Sequence, residues 1–171
     1  MRFPVAIARF ATALLDWYKE HKRDLPWRKT DNPYHVWLSE IMLQQTQVKV
    51  VTPYFLRFLS EFPTIKDLAQ ADLEKVLALW SGLGYYARAR NLHMAAKQIC
   101  EHYQGVFPAD REQALSLKGV GRYTAGAVHS IAYGKPEPIV DGNIRRVMAR
   151  FTGIEEPLSS SPELLWSLLA R

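Results

Sequence analysis

The chain has 171 residues, 48% of them apolar and 23% charged, with a net charge of +5. That is enough for one medium domain or two small lobes around a real core, and the basic surplus suits a polyanionic partner. A single cysteine, Cys100, excludes an internal disulfide and any cysteine-rich metal or cluster site within these residues and fits a reducing compartment. No apolar run reaches the ~18 residues a membrane helix needs.

Helical periodicity runs through nearly the whole chain. The opening stretch "MRFPVAIARFATALL" is interrupted by Arg9 and continues into "DWYKEHK", so residues 5–21 read as an amphipathic first helix and not as a targeting segment. Residues 23–33, with two prolines, form a loop. "YHVWLSEIMLQQT" (34–46) is a helix, and another covers 48–61 with Pro53 near its first turns or at a kink. Thr64, with Asp67 three residues on, caps a short helix. Asp72 caps the next, which stops at "SGLG". A long helix covers 85–103, a brief one 110–116, and another 121–133. A loop follows at 134–142, then a basic helix at 143–151. Ser161-Pro162-Glu163 is a further helix start, N-cap and then proline. No alternating strand set is present, so the fold class is all-α, and the loops at 23–33 and 134–142 are the lobe boundaries.

"LKGVGRYTAG" (117–126) has three readings. Gly119 and Gly121, with Asp141 twenty residues beyond the second, mimic a dinucleotide-binding fingerprint. The third glycine position is Thr124, however, and the preceding segment is polar and helical, not a buried strand. An isolated G-x-G is more often a tight helix–turn–helix connection. The third reading is a helix–hairpin–helix, whose consecutive backbone amides and helix N-terminus grip a DNA phosphate without reading sequence. The basic balance, Lys118 and Arg122 favour the third.

Glu40 lies in an otherwise apolar helix, near Val36, Trp37, Ile41 and Leu43. A mid-helix glutamate is ordinarily a solvated face residue. If this one turns inward, desolvation raises its pKa and suits it to general-acid work. Asp141, at a loop-to-helix junction, is an N-cap, a role compatible with catalysis.

In order along the chain, "LPWR" (25–28), "WLSEIMLQQTQV" (37–48), "GLGYYARARNLH" (82–93), "LKGVGRYTAGAV" (117–128) and "VDGNIRRVMAR" (140–150) resemble the helix–hairpin–helix DNA glycosylase superfamily, specifically the MutY-type adenine DNA glycosylases. The resemblance covers almost the whole chain. It implies a six-helix lobe at 29–135, and a second, incomplete lobe from 1–28 and 136–171. It also implies a monofunctional enzyme that flips adenine out of a mispair with 8-oxoguanine or guanine and removes it.

By the same resemblance, Glu40 is the general acid and Asp141 stabilises the sugar cation, as electrostatic partner or transient nucleophile. Tyr123 and Asn143 orient the two carboxylates. Gln45 and Tyr85 wedge into the duplex, Thr46 and Leu83 lie on the same DNA-facing motifs, and Trp27 and Arg28 border the adenine pocket. Lys118, Gly119, Val120, Gly121 and Arg122 hold phosphates.

The runner-up, an endonuclease III-type glycosylase/lyase, carries lysine where this chain has Tyr123 and normally lacks glutamate at position 40. A non-catalytic hairpin module is a further alternative. The resemblance also implies a longer protein whose remainder carries a 4Fe–4S cluster on four cysteines and a domain that reads 8-oxoguanine, neither within this chain. A monovalent cation on the hairpin carbonyls is expected. So are double-stranded DNA as partner, no membrane, a monomeric state and an intracellular setting, cytoplasm or nucleoid in a bacterium.

Overall fold

The computed structural model describes residues 3–153 and Trp166, and the expected helix start at Ser161 lies outside the described residues. In chain order the elements are α1 (Phe3–His21), a short 3-10 turn (Pro26–Arg28), α2 (Pro33–Leu43), α3 (Val48–Glu61), α4 (Ile65–Gln70), α5 (Leu73–Trp80), α6 (Ala87–Tyr103), α7 (Arg111–Ser116), α8 (Arg122–Tyr133) and α9 (Gly142–Thr152). No strand occurs among the described residues, so the all-α reading holds.

Local chemistry sets most of these boundaries. Asn32 accepts the Tyr34 amide at 2.9 Å and Pro33 occupies the first helical position, which starts α2. Thr64 and Asp67 form the expected capping box on α4. Asp110 caps α7 through the Gln113 amide, and Gly134 ends α8 in the left-handed conformation. Asp72 sits at the N-cap of α5 with extended backbone, but its side chain makes no capping hydrogen bond. Pro53 lies within α3, which runs through it.

α2 is the central helix. Tyr34, Val36, Trp37, Leu38, Ser39, Ile41 and Met42 are all buried, so nearly every side of it is covered. It packs most extensively on α8 and also against α3 and α6. Trp37, Trp80, Phe55, Phe58 and Phe107 are the largest fully buried side chains, and Trp37 meets Phe107 at 5.5 Å between ring centroids. α1 lies at the edge, where Phe10 stacks on Phe151 of α9 at 4.7 Å.

Two of the boundaries that differ from the sequence expectation carry candidate site residues. α2 stops at Leu43 instead of continuing to Thr46, and Gln45 takes a positive φ of 57°. α6 starts at Ala87 instead of Tyr85, which takes φ 48°. Helical periodicity continues through both stretches in the sequence. At the end of α2 the competing interaction is tertiary, the Arg88 guanidinium taking the carbonyls of Ile41 and Met42, whereas before α6 it is the local turn in which Gly82 and Gly84 both take positive φ.

The loop leading to Asp141 is held against α8 at Gly126. A β-carbon there would lie 2.5 Å from the Pro138 carbonyl oxygen, a backbone atom. Gly126→Ala is therefore expected to destabilise the protein by about 1–3 kcal/mol through overpacking. It should also displace the loop that presents Asp141. A thermal melt checks the first effect, and an unchanged midpoint would show that the loop yields freely.

Candidate active site

Four segments converge on a cleft of ≈ 510 Å³. The end of α1 and the loop after it contribute Tyr18, Arg23, Leu25, Trp27 and Arg28; α2 contributes Glu40; α8 contributes Tyr123; and Asp141 closes the far side. The expected Trp27, Arg28, Glu40, Tyr123 and Asp141 are thus brought to one place from positions up to 114 residues apart (141 − 27). Tyr18 and Arg23 were not foreseen. Tyr18 sits in the apolar pattern of α1, and Arg23 in a loop with no periodic signal.

Glu40 is partly buried, because the α2 face that carries it packs toward α8. Burial pushes its carboxyl upward from the ordinary glutamate range, and the nearby charge of Asp141 pushes the same way. The Tyr123 hydroxyl, within hydrogen-bonding reach, works against this by donating to the carboxylate. Tyr123 is itself held protonated. Burial raises its pKa first, then the Glu40 charge and hydrogen bond, then Asp141. A phenol fixed in that state is a donor to its carboxylate neighbour and not a base.

Asp141 is the N-cap of α9. Its Oδ1 accepts the Ile144 amide at 2.7 Å, and Oδ2 accepts Asn143 Nδ2 at 3.2 Å. Capping and orientation therefore coexist on one carboxylate. Arg28 is exposed and lies over the Tyr18 ring at 5.4 Å, whereas Trp27 is buried and packs edge-on against Phe55.

The hairpin precedes α8, whose N-cap is Gly121. It is pinned to α6: the Lys118 amide donates to Gln98 Oε1 at 2.8 Å, and a β-carbon at Gly119, where φ is +76°, would stand 2.7 Å from Asn91 Cβ. The Val120 amide donates to the Leu117 carbonyl and the Val120 side chain is buried, so neither reaches outward. Lys118, Gly119, Gly121 and Arg122 are exposed. Gln45 and Tyr85 also present exposed side chains, Thr46 is half-buried, and Leu83 is buried in the core with only 5% exposure. Leu83, expected on the DNA-facing side, is therefore turned inward: its amide donates to the Trp80 carbonyl and its carbonyl accepts from Arg88 Nη2.

Among the described residues, no three His, Cys, Asp or Glu side chains gather into a metal site. The single cysteine, half-buried Cys100, cannot supply the four thiolates of an iron–sulfur cluster. No described helix is long and apolar enough to cross a membrane.

Residues 38–170 match the family model for HhH-GPD superfamily base excision DNA repair proteins. The chain belongs to that superfamily. Among its relatives, adenine DNA glycosylase of Buchnera aphidicola subsp. Baizongia pistaciae is 43% identical over 94% of this chain and 46% of its own length. Human adenine DNA glycosylase is 44% identical over 95% of this chain and 32% of its own length. The chain thus spans half or less of these relatives. A thermostable thymine-DNA glycosylase superposes with a TM-score of 0.91 at 30% identity, covering 99% of this chain and 79% of the other. An endonuclease III trapped on DNA has the same fold, with a TM-score of 0.79 at 23% identity, covering 99% and 84%.

Proposed function

We propose that this HhH-GPD chain is the catalytic part of a monofunctional adenine DNA glycosylase, acting on adenine mispaired with 8-oxoguanine or guanine in duplex DNA. The observation that carries the reading is a carboxyl with a raised pKa, Glu40, sharing one cleft with a second carboxyl, Asp141. A carboxyl held toward its protonated form beside a second carboxyl is the general arrangement for breaking a glycosidic bond.

The chemistry follows from that pair. The base must leave the stack before it can enter a cleft, and exposed Gln45 and Tyr85, with Thr46 beside them, fill the space it vacates. Trp27 and Arg28 border the adenine. Glu40 delivers its proton to adenine N7, the C1′–N9 electron pair departs with the base, and Asp141 stabilises the cationic sugar until water adds to C1′ and passes its proton to the Glu40 carboxylate. Tyr123 and Asn143 hold Glu40 and Asp141 in place. The Lys118–Arg122 hairpin grips a phosphate through its exposed amides and basic side chains, with a monovalent cation on its carbonyls.

The same reading divides the chain into a lobe at 29–135 and a second lobe from 1–28 and 136–171, for which the Phe10–Phe151 contact is the support. An iron–sulfur cluster and a lesion-reading domain would belong to residues outside these 171. The protein would work as a monomer, inside the cell. The test is release of free adenine from duplexes carrying adenine opposite 8-oxoguanine, guanine or thymine. Release from the first two supports the reading. Excision of a pyrimidine instead of adenine would sink it.

Tyr123 separates this reading from a glycosylase/lyase. No lysine is among the described residues lining the cleft, so none of these side chains offers an amine to form a Schiff base with the sugar. Borohydride should trap no covalent adduct with the wild type, and Tyr123→Lys should gain both trapping and strand nicking. Efficient trapping by the wild type would restore the lyase alternative.

A further inference from the structure

Gln45 and Tyr85 are 40 residues apart in sequence (85 − 45), yet they share an unusual backbone state. Both are non-glycine residues at positive φ, 57° and 48°. Such a conformation costs free energy and persists only where surrounding contacts determine it. Arg88 supplies those contacts on both sides. Its Nη1 donates to the carbonyls of Ile41, Met42 and Gln44 at 2.9, 2.9 and 2.6 Å. Its Nη2 reaches Thr46 Oγ1, Leu83 O and Gly84 O at 3.2, 3.3 and 3.2 Å. The acceptors flank Gln45 on one loop and precede Tyr85 on the other.

The placement also explains how a cation survives at 9% exposure. The carbonyls at the C-terminus of α2 carry the negative end of the helix dipole. The Trp80 ring lies 5.3 Å from the guanidinium carbon, and the Tyr85 ring 5.5 Å. The turn is braced from behind as well, because Trp80 Nε1 donates to the Gly84 carbonyl at 3.1 Å and Tyr54 donates to the Ser81 carbonyl at 2.8 Å. A planar fork with several donors can span two loops; a lysine ammonium is one point and cannot.

We propose that Arg88 is a positioning residue that ties the Gln45 and Tyr85 loops into a single rigid wedge, so that both side chains enter the duplex together when adenine is extruded. This rests on the reading of Gln45 and Tyr85 as the residues that fill the vacated stack. Arg88 is absent from the residues lining the cleft with Glu40 and Asp141. Its loss should therefore impair extrusion and spare the cleavage chemistry.

The experiment compares wild type, Arg88→Lys and Tyr54→Phe in the intact natural protein, at a temperature where melts show all three folded. Single-turnover excision is measured on adenine in a mispaired duplex and on a bulged adenine already outside the stack. A 2-aminopurine in the target position reports extrusion by fluorescence. Arg88→Lys should lose roughly tenfold or more on the duplex, from the loss of several charge-assisted hydrogen bonds. Its 2-aminopurine signal should fall in step, while bulged-adenine excision stays near wild type. Tyr54→Phe removes the bond to the Ser81 carbonyl that braces the Tyr85 turn, at nearly constant shape, so it should show the same pattern with a smaller loss. It carries the test if Arg88→Lys does not fold.

Equal losses on both substrates would mean a merely structural arginine and would overturn the proposal, as would undiminished duplex excision. A wild type that excises adenine from neither substrate would instead overturn the glycosylase reading itself. The two failures are thus distinguishable.

Discussion

Glu40→Gln should abolish measurable base excision while leaving DNA binding intact. General-acid catalysis contributes about 10²–10⁴-fold, and here the same proton also activates a poor leaving group, so the loss should reach the upper end of that range. The substitution is nearly isosteric and keeps a partner for the Tyr123 hydroxyl, so the cleft should keep its shape. Single-turnover kinetics on an adenine–8-oxoguanine duplex measures the effect, and near-normal rates would remove Glu40 from the acid's role.

The pH dependence has a definite sign. Because burial and the Asp141 charge raise the Glu40 pKa, the protonated, competent form persists to higher pH than for a solvated glutamate. Excision should fall as pH rises through that raised value. Stability follows the same linkage. A carboxyl with a raised folded-state pKa favours folding most below its unfolded value, and that contribution is lost as pH rises through the folded one. Glu40→Gln should consequently leave stability at neutral pH unchanged or higher, separating its catalytic loss from any folding defect.

Asp141→Asn should be almost as damaging to activity, for a different reason. Asparagine retains an oxygen for the Ile144 amide and is as good an N-cap, so α9 should still form. The negative charge facing the developing sugar cation disappears, however. Losing one preorganised electrostatic partner of a transition state costs roughly 10²–10³-fold. The amide would also place a second NH₂ against Asn143 Nδ2, which now donates to the carboxylate at 3.2 Å. Circular dichroism should report a folded protein and the excision assay a nearly inactive one. If instead the variant is unfolded and regains full activity on refolding, capping was all that Asp141 did.

Much of the architecture was legible because its determinants are local. The Thr64–Asp67 capping box and the Asp141 cap are each written within a few consecutive residues. The absence of alternating patterns excluded a sheet for equally local reasons. The carboxylate pair was legible through motif resemblance and chemistry. The direction of the Glu40 side was not, since α2 is apolar on every face and its periodicity does not say which way a single glutamate turns.

The order of residues was enough for the helical class, most helix starts and the residue types available for acid, anion and donor roles. How those groups are used depends on packing. Packing of α2 on α8 brings Tyr123 to Glu40 and raises the pKa of both, because desolvation depends on what covers a side chain and not on its neighbours in sequence. The early stop of α2 was likewise decided at a distance, by Arg88, whose guanidinium holds helix-end carbonyls 46 and 47 positions earlier in the chain. Helix propensity is worth a few tenths of a kcal/mol per residue, and a buried, charge-assisted hydrogen bond about 1.5–3 kcal/mol, so the long-range bonds win there.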